Sequence, residues 1–114
     1  MAATVVLDIF SGMPNPQWGL APDLAGYLCE CLKEAIDLSP PSLMELPGLG
    51  YRGLQVNLPD CEVASPWVRF FNTTIENGGA VLVDENRLLE LKILETASGN
   101  IDSALLSSVI SSFK

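Results

Sequence analysis

Residues 8–20 constrain the fold of this chain more than any other stretch, because a strand-like apolar sequence runs directly into a proline-rich turn. Two prolines flank Asn15, and Trp18 follows shortly after the second one. Proline fixes its own φ angle and restricts the residue before it, so the backbone of this turn has few accessible conformations. We therefore expect one fixed turn after a first strand at residues 4–10.

Apolar periodicity predicts the helices. Residues 24–36 repeat apolar side chains at helical spacing, and Pro22 suits the first turn of such a helix. Residues 87–97 alternate apolar and polar side chains as a strand would, yet they are rich in strong helix formers, which favours a helix. Apolar residues would lie all round this helix, so we expect the helix to be deeply buried. A last helix is expected from residue 101. Asp84 and Asn100 are the predicted N-caps of the second and third helices.

The strand signals lie mainly between the first and second helices. Residues 54–58 alternate apolar and polar side chains, and residues 67–71 and 80–83 are rich in β-formers. A continuation of the strand at 67–71 as far as Ile75 is left open. Together with the first strand, this order predicts an α+β fold with a small, mostly antiparallel sheet of about four strands and three helices packed on one face. We expect a single globular domain over residues 1–114.

The composition limits the partners. Fourteen acidic residues against six scattered basic residues give a formal charge of −8, so nucleic acids and anionic membranes are not expected partners. No apolar run reaches the roughly 18 residues that a membrane span needs. Apolar residues make up 48% of the chain. A small domain of this kind often covers apolar surface by association, which favours a partner protein or a homo-oligomer.

The three cysteines show no disulfide framework, because their number is odd. Cys29 and Cys31 would lie about 200° apart around a helix, so they cannot bridge to each other. We expect both to be buried structural cysteines, and Cys61 to be more exposed. Without a secretory signal at the N-terminus, this pattern predicts a cytoplasmic protein with reduced thiols.

Few residues here suit catalysis. The chain has no histidine, which removes the commonest general base and most transition-metal sites, and three cysteines are too few for a thiolate-only zinc site. Glycines at residues 48–53 precede a strand and lack the lysine of a phosphate-binding loop. The carboxylates at 60, 62, 84 and 85 lie in predicted turns, where solvation or capping is the usual role. We predict no catalytic residue, metal or cofactor, and a non-enzymatic protein is favoured over an enzyme using carboxylates or Cys61.

The most suggestive residues are in the loops 8–18 and 48–53. Asn15 has a fixed backbone, Trp18 could stack on a ligand, and Arg52 could bind an acidic group. A structural alternative has Trp18 covering the core, Asn15 satisfying turn amides and Arg52 pairing with Asp8. The candidate ligand- or partner-binding residues are Asp8, Ser11, Asn15, Trp18, Tyr51 and Arg52.

Three short motifs carry a resemblance: SGxPNPxWxL at residues 11–20, LGYRG at 49–53 and RLLE at 87–90. They resemble landmarks of a family of small uncharacterised proteins of about this length. The resemblance spans most of the chain and implies no activity or cofactor. It implies that the two loops belong to one unit, and it favours a helix at 87–97. The leading hypothesis is a small protein-interaction or self-associating domain, and the alternative is a small-ligand or cation-binding protein that uses the two loops.

Overall fold

A computed structural model describes residues 2–9, 15–35, 51–65, 67–78 and 80–111. In this part of the chain, one antiparallel sheet has the strand order β2-β1-β3-β4-β5-β6. The strands are β1 Thr4–Leu7, β2 Gln17–Gly19, β3 Leu54–Asn57, β4 Val68–Phe71, β5 Thr74–Asn77 and β6 Ala80–Val83. The helices are α1 Pro22–Glu34, α2 Leu88–Glu95 and α3 Ser103–Ser111, with a 3-10 turn Glu85–Arg87 before α2.

The strand register collects the apolar side chains on one face of the sheet. Val5 lies opposite both Trp18 and Val56, and further along the sheet Phe70 lies opposite both Leu54 and Ile75. Because side chains alternate along a strand, these opposed pairs share one face. All three helices contribute to the core cluster on this face, through Leu28, Leu32, Ile93, Leu94 and Val109. The α+β class, the antiparallel sheet and the three helices are therefore confirmed.

The prediction of about four strands was wrong, because the sheet has six. β2 pairs with β1 over only three residues, too few to give an alternation pattern. β4 and β5 are separated by a two-residue turn in which Asn72 and Thr73 have φ angles of 49° and 69°. Such tight hairpin turns normally carry glycine, and a β-branched threonine at positive φ is unusual. The sequence therefore gave no hairpin signal here.

The expectation of free, reduced thiols was wrong for two of the three cysteines. Cys29 of α1 and Cys61 after β3 form a disulfide, with 5.7 Å between their Cα atoms, and Cys61 is buried. Cys31 is the free cysteine. Cys29 and Cys31 do not form a bridge with each other, as their positions around the helix predicted. The spacing within the helix could not indicate a partner 32 residues away. The disulfide removes the main support for a cytoplasmic location.

The helix boundaries follow the sequence with one shift. Pro22 begins α1, and α2 lies inside the predicted range. α3 begins at Ser103, two residues later than expected. Asn100 does not cap this helix, because its side-chain amide donates to the carbonyl of Thr96, at 3.1 Å. Within the described residues, no helix is long and apolar enough to cross a membrane.

Breaking the Cys29–Cys61 disulfide should destabilise the fold substantially. It closes a loop with a sequence separation of 32, and loop-closure entropy predicts a loss of about 3–4 kcal/mol in the free energy of unfolding. Urea denaturation of the Cys29→Ser/Cys61→Ser double variant measures this loss. Cys31→Ser is the matched control and should lose less than about 1.5 kcal/mol. Equal losses in the two variants would contradict the bridge.

Candidate functional site

The turn between β1 and β2 is closed by its own hydrogen bonds. The Oδ1 atom of Asn15 accepts from the backbone amide of Ile9 at 3.0 Å, and the amide of Leu7 donates to the carbonyl of Pro16 at 2.9 Å. The proline-flanked asparagine therefore satisfies a turn amide, as in the structural alternative. Ser11, also a candidate residue, lies outside the described residues.

Trp18 lies in the core. Its side chain is 5% exposed, and its Nε1–H donates to the hydroxyl oxygen of Thr96 at 2.7 Å. The Thr96 hydroxyl in turn donates to the carbonyl of Ile93 at 2.6 Å, at the end of α2. A buried indole needs a hydrogen-bond acceptor, and here the acceptor ties β2 to α2. The ring of Trp18 thus has no open face on which a ligand could stack.

Asp8 and Arg52 meet on the other face of the sheet. The Oδ2 atom of Asp8 accepts from Nη1 of Arg69 at 2.8 Å, and Nε of Arg52 lies 4.0 Å from the same oxygen. Arg69 also donates to the backbone carbonyl of Arg52, at 2.7 Å. One carboxylate thus faces two guanidinium groups, which disfavours a cation here. Among the described residues, no group of three or more His, Cys, Asp or Glu residues could hold a metal ion.

Tyr51 belongs to a buried polar network centred on Glu90, which the sequence did not reveal. Glu90 lies in α2 with 0% exposure, and its carboxylate accepts from the Tyr51 hydroxyl at 2.5 Å and from the Asn72 amide at 2.9 Å. Arg87 donates to both carboxylate oxygens, at 2.9 and 2.7 Å. This two-bond contact is the strong form of an ion pair. The carboxylate is therefore fully engaged inside the protein, so the geometry favours a structural role for Tyr51.

Asp84 completes the network at the start of α2. The N-cap residue of α2 is Arg87, so the prediction of Asp84 at that position was wrong. The Asp84 carboxylate nevertheless accepts from the amides of Leu89 at 2.9 Å and Glu90 at 3.1 Å in the first turn of α2. Burial raises the pKa of Asp84 above its usual value, while these two amide hydrogen bonds oppose the rise. The non-glycine residues at positive φ in the described chain all lie around this network: Asn72, Thr73, Asn86 and Arg87.

The candidate residues therefore separate into two groups. Trp18 and Tyr51 hydrogen-bond to side chains on or just after α2, whereas Asp8 and Arg52 meet Arg69 of β4. A ligand or cation site in loops 8–18 and 48–53 stays a prediction. The described polar groups of Asp8, Asn15, Trp18 and Tyr51 are engaged within the protein, whereas the buried Nε atom of Arg52 makes no hydrogen bond. Two other features of the described chain are open to partners: one edge of the sheet and one cleft.

The open edge is β6. Its ladder partner in the described chain is β5, with Ala80 opposite Asn77 and Val83 opposite Thr74. The strand is Ala-Val-Leu-Val and carries no charge and no proline. At the other edge, β2 has three residues, and Pro16 and Pro22 lie close to its ends. β6 is thus the longer and less protected edge.

The cleft lies beside the disulfide and has a volume of about 510 Å³. Apolar and small residues of α1 form one wall, and the segment after β3 forms another. Gly26 faces this space, and a Cβ atom added to it would have no neighbour within 4 Å. A glycine inside a helix destabilises it by about 0.5–1 kcal/mol relative to alanine, and no close contact accounts for one here.

Removing the Glu90 charge should destabilise the protein strongly. In Glu90→Gln, Arg87 loses its buried counter-ion, and breaking such a pair costs about 3–5 kcal/mol. Chemical denaturation followed by circular dichroism measures the change. Glu95→Gln, an exposed position of the same helix, should change stability by less than about 0.5 kcal/mol. Similar results for the two variants would contradict a stabilising role of the network.

Stability should also fall at high pH because of Tyr51. Burial, followed by the nearby Glu90 charge, raises the pKa of Tyr51 above its ordinary value. Its contribution is thus fully present below about pH 10, the unfolded-state pKa of tyrosine, and is lost as pH rises further. Between pH 10 and 11 the wild type should lose stability more steeply than Tyr51→Phe, by about 1 kcal/mol. Parallel slopes in urea denaturation would contradict this assignment.

The chain matches no protein-family model, no curated protein and no solved structure. The resemblance carried by residues 11–20, 49–53 and 87–90 therefore stays a prediction. Any function has to be supported by the contacts, edges and cavities of the chain itself.

Proposed function

We propose that this protein is a small self-associating domain that forms a two-fold dimer through the edge of β6. The observation that carries the proposal is the uncharged Ala-Val-Leu-Val edge, whose outer side has no ladder partner in the described chain. Native proteins usually protect such an edge with a charge, a proline or a covering element. Among its described residues, β6 has neither a charge nor a proline, which favours pairing with another strand.

The register of β5 and β6 defines which backbone groups are available. Ala80 faces Asn77 across a two-residue turn, so Ala80 and Leu82 direct their amides and carbonyls towards β5. The amide of Asp84 bonds to the carbonyl of Thr73 at 2.8 Å, which continues the same alternation. The amides and carbonyls of Val81 and Val83 consequently point away from β5, on the side where a second strand would pair, although Val81 is only 7% exposed and Val83 is half-buried.

A second copy of the chain fits this edge. Antiparallel pairing centred on Leu82 would place Val81 of one chain opposite Val83 of the other, and Leu82 opposite Leu82. Each chain then presents the same patch to its partner, which is the requirement for a closed two-fold dimer. Because β2 is short and flanked by prolines, growth beyond the dimer through the opposite edge is disfavoured.

Neighbouring side chains would extend the contact beyond the strand. Trp67 and Val63 are large apolar residues with 45% and 44% exposure. Both lie at the end of the sheet where β6 begins, because Trp67 precedes β4 and the Val63 carbonyl accepts from the side chain of Asn77 at 2.9 Å. Tryptophan is enriched among the residues that contribute most to protein interfaces.

The dimer should be weak. About four inter-chain hydrogen bonds would form, each contributing about 0.5–1.5 kcal/mol, and association itself has an entropic cost. With apolar contacts added, we expect a dissociation constant of about 0.1–1 mM. Association should therefore be visible only at high protein concentration.

Val83→Lys should abolish this association. Lysine on an edge strand is a common device against edge-to-edge pairing, and in the dimer this side chain would stand opposite Val81 of the second chain, whereas in the monomer it reaches water. Sedimentation equilibrium from about 10 µM to about 1 mM should show the wild-type mass rising towards two chains and the variant staying at one chain.

Val6→Lys is the matched control, because Val6 is a half-buried valine on the same face of the sheet but in the central strand β1. This variant should associate as the wild type does, and circular dichroism checks that both variants are folded. A wild-type monomer at the highest concentration, or an equal loss of association in both variants, would overturn the proposal.

A further inference from the structure

We propose that Arg52 binds the carboxylate group of a small molecule, on the face of the sheet that points away from the core. The site comprises the side chains of Asp8, Arg52 and Arg69 and shares no residue with the β6 edge, so it does not depend on self-association. Two guanidinium groups meet one carboxylate here, which leaves one positive charge in excess among the three side chains. The formal charge of the whole chain is −8, so this local excess does not follow from its composition.

The Asp8 carboxylate binds Arg69 rather than Arg52. Nη1 of Arg69 lies 2.8 Å from Oδ2 of Asp8 and also donates to the backbone carbonyl of Arg52, at 2.7 Å. Nε of Arg52 lies 4.0 Å from the same carboxylate oxygen, which is beyond hydrogen-bond distance. Asp8 therefore attracts the Arg52 guanidinium without forming a hydrogen bond to its Nε–H.

Arg52 is the guanidinium with an unsatisfied donor. Its Nε atom is buried and makes no hydrogen bond within the described part of the chain. A buried N–H group without an acceptor is unfavourable, and each one in a native protein needs an explanation. The side chain as a whole is 39% exposed, so part of the guanidinium can be reached from solvent. A carboxylate can thus bind Arg52 without displacing Arg69 from Asp8.

The backbone beside Arg52 provides a second, independent observation. The amide of Asp8 donates to the carbonyl of Gly53 at 3.1 Å, whereas its carbonyl accepts from the amide of Arg52 at 2.8 Å. Two consecutive residues thus face one, which is a β-bulge just before β3. Gly53 has a φ angle of 101°, and an added Cβ atom would lie 2.7 Å from the carbonyl oxygen of Phe70, so the bulge requires glycine. Bulges redirect side chains and are common next to active sites.

The geometry and the nearby charges favour a carboxylate with a single charge. A guanidinium presents paired N–H groups in one plane, which match the two oxygens of a carboxylate. Glu76 is an exposed carboxylate opposite Arg69 on β5, on the side of β4 away from β3 and Arg52. Together with Asp8 it would repel a dianion such as sulfate more strongly than a monoanion.

Titration of the full chain with sodium acetate at constant ionic strength tests the site, with NMR spectra that record backbone amides and arginine Nε–H groups. The signals of Arg52 and Gly53 should shift most. We expect a dissociation constant of about 1–10 mM, because one charge-assisted, two-bond contact would form at a partly exposed position. Acetamide has nearly the same shape without the charge and should cause no such shifts. Sulfate should bind no more tightly than acetate.

Arg52→Gln tests the location. This variant keeps the backbone hydrogen bond to Asp8, so it should stay folded by circular dichroism, and it should bind acetate at least about tenfold more weakly. Arg52→Lys keeps the charge without the planar pair of donors and should bind about threefold more weakly. Lys33→Gln removes one positive charge from an exposed position of α1 and should bind as the wild type does.

Four results would refute the carboxylate site. They are shifts that are absent or scattered over the surface, tighter binding of sulfate, unchanged binding by folded Arg52→Gln, and an equal loss of binding in Lys33→Gln.

Discussion

The buried carboxylate of Glu90 is the contact on which the arrangement of this fold depends. A charge without solvent exposure is tolerated only when it is paired and hydrogen-bonded, and here Arg87, Tyr51 and the amide of Asn72 together satisfy it. Arg87 lies just before α2, Tyr51 lies shortly before β3, and Asn72 lies in the turn between β4 and β5. One side chain thus fixes the helix against two parts of the sheet. Backbone conformations that are unfavourable in isolation, such as the positive φ of Thr73, persist next to this network because the surrounding hydrogen bonds hold them.

The sequence predicted the elements that depend on local periodicity. α1 and the strands β1, β3, β4 and β6 follow from apolar spacing, and the choice of a helix at 87–97 was correct. The network of Glu90 was missed, although a signal for it existed. The expectation that this helix is deeply buried was wrong in part, because Leu88 is 61% exposed, but Glu90 lies on its buried side. A glutamate expected in a buried helix needs a cation nearby. Arg87, three residues earlier, is that cation.

The remaining errors have a common physical cause, because they concern contacts between distant parts of the chain. The partner of Cys29 lies 32 residues away, and no spacing rule within a helix could identify it. The turn at Asn72 lacks the glycine that marks most tight hairpins, and it is held instead by a hydrogen bond to Glu90. For Trp18 and Asn15 the sequence offered two alternatives, and the contacts favour the structural one: the indole hydrogen-bonds at the end of α2 and the amide closes the turn.

The segment at residues 15–20 also determines which edge of the sheet is available. It gives β2 only three residues next to Pro16 and connects the indole of Trp18 to the end of α2, so this edge offers little backbone to a partner. The opposite edge, β6, is therefore the edge at which we propose self-association.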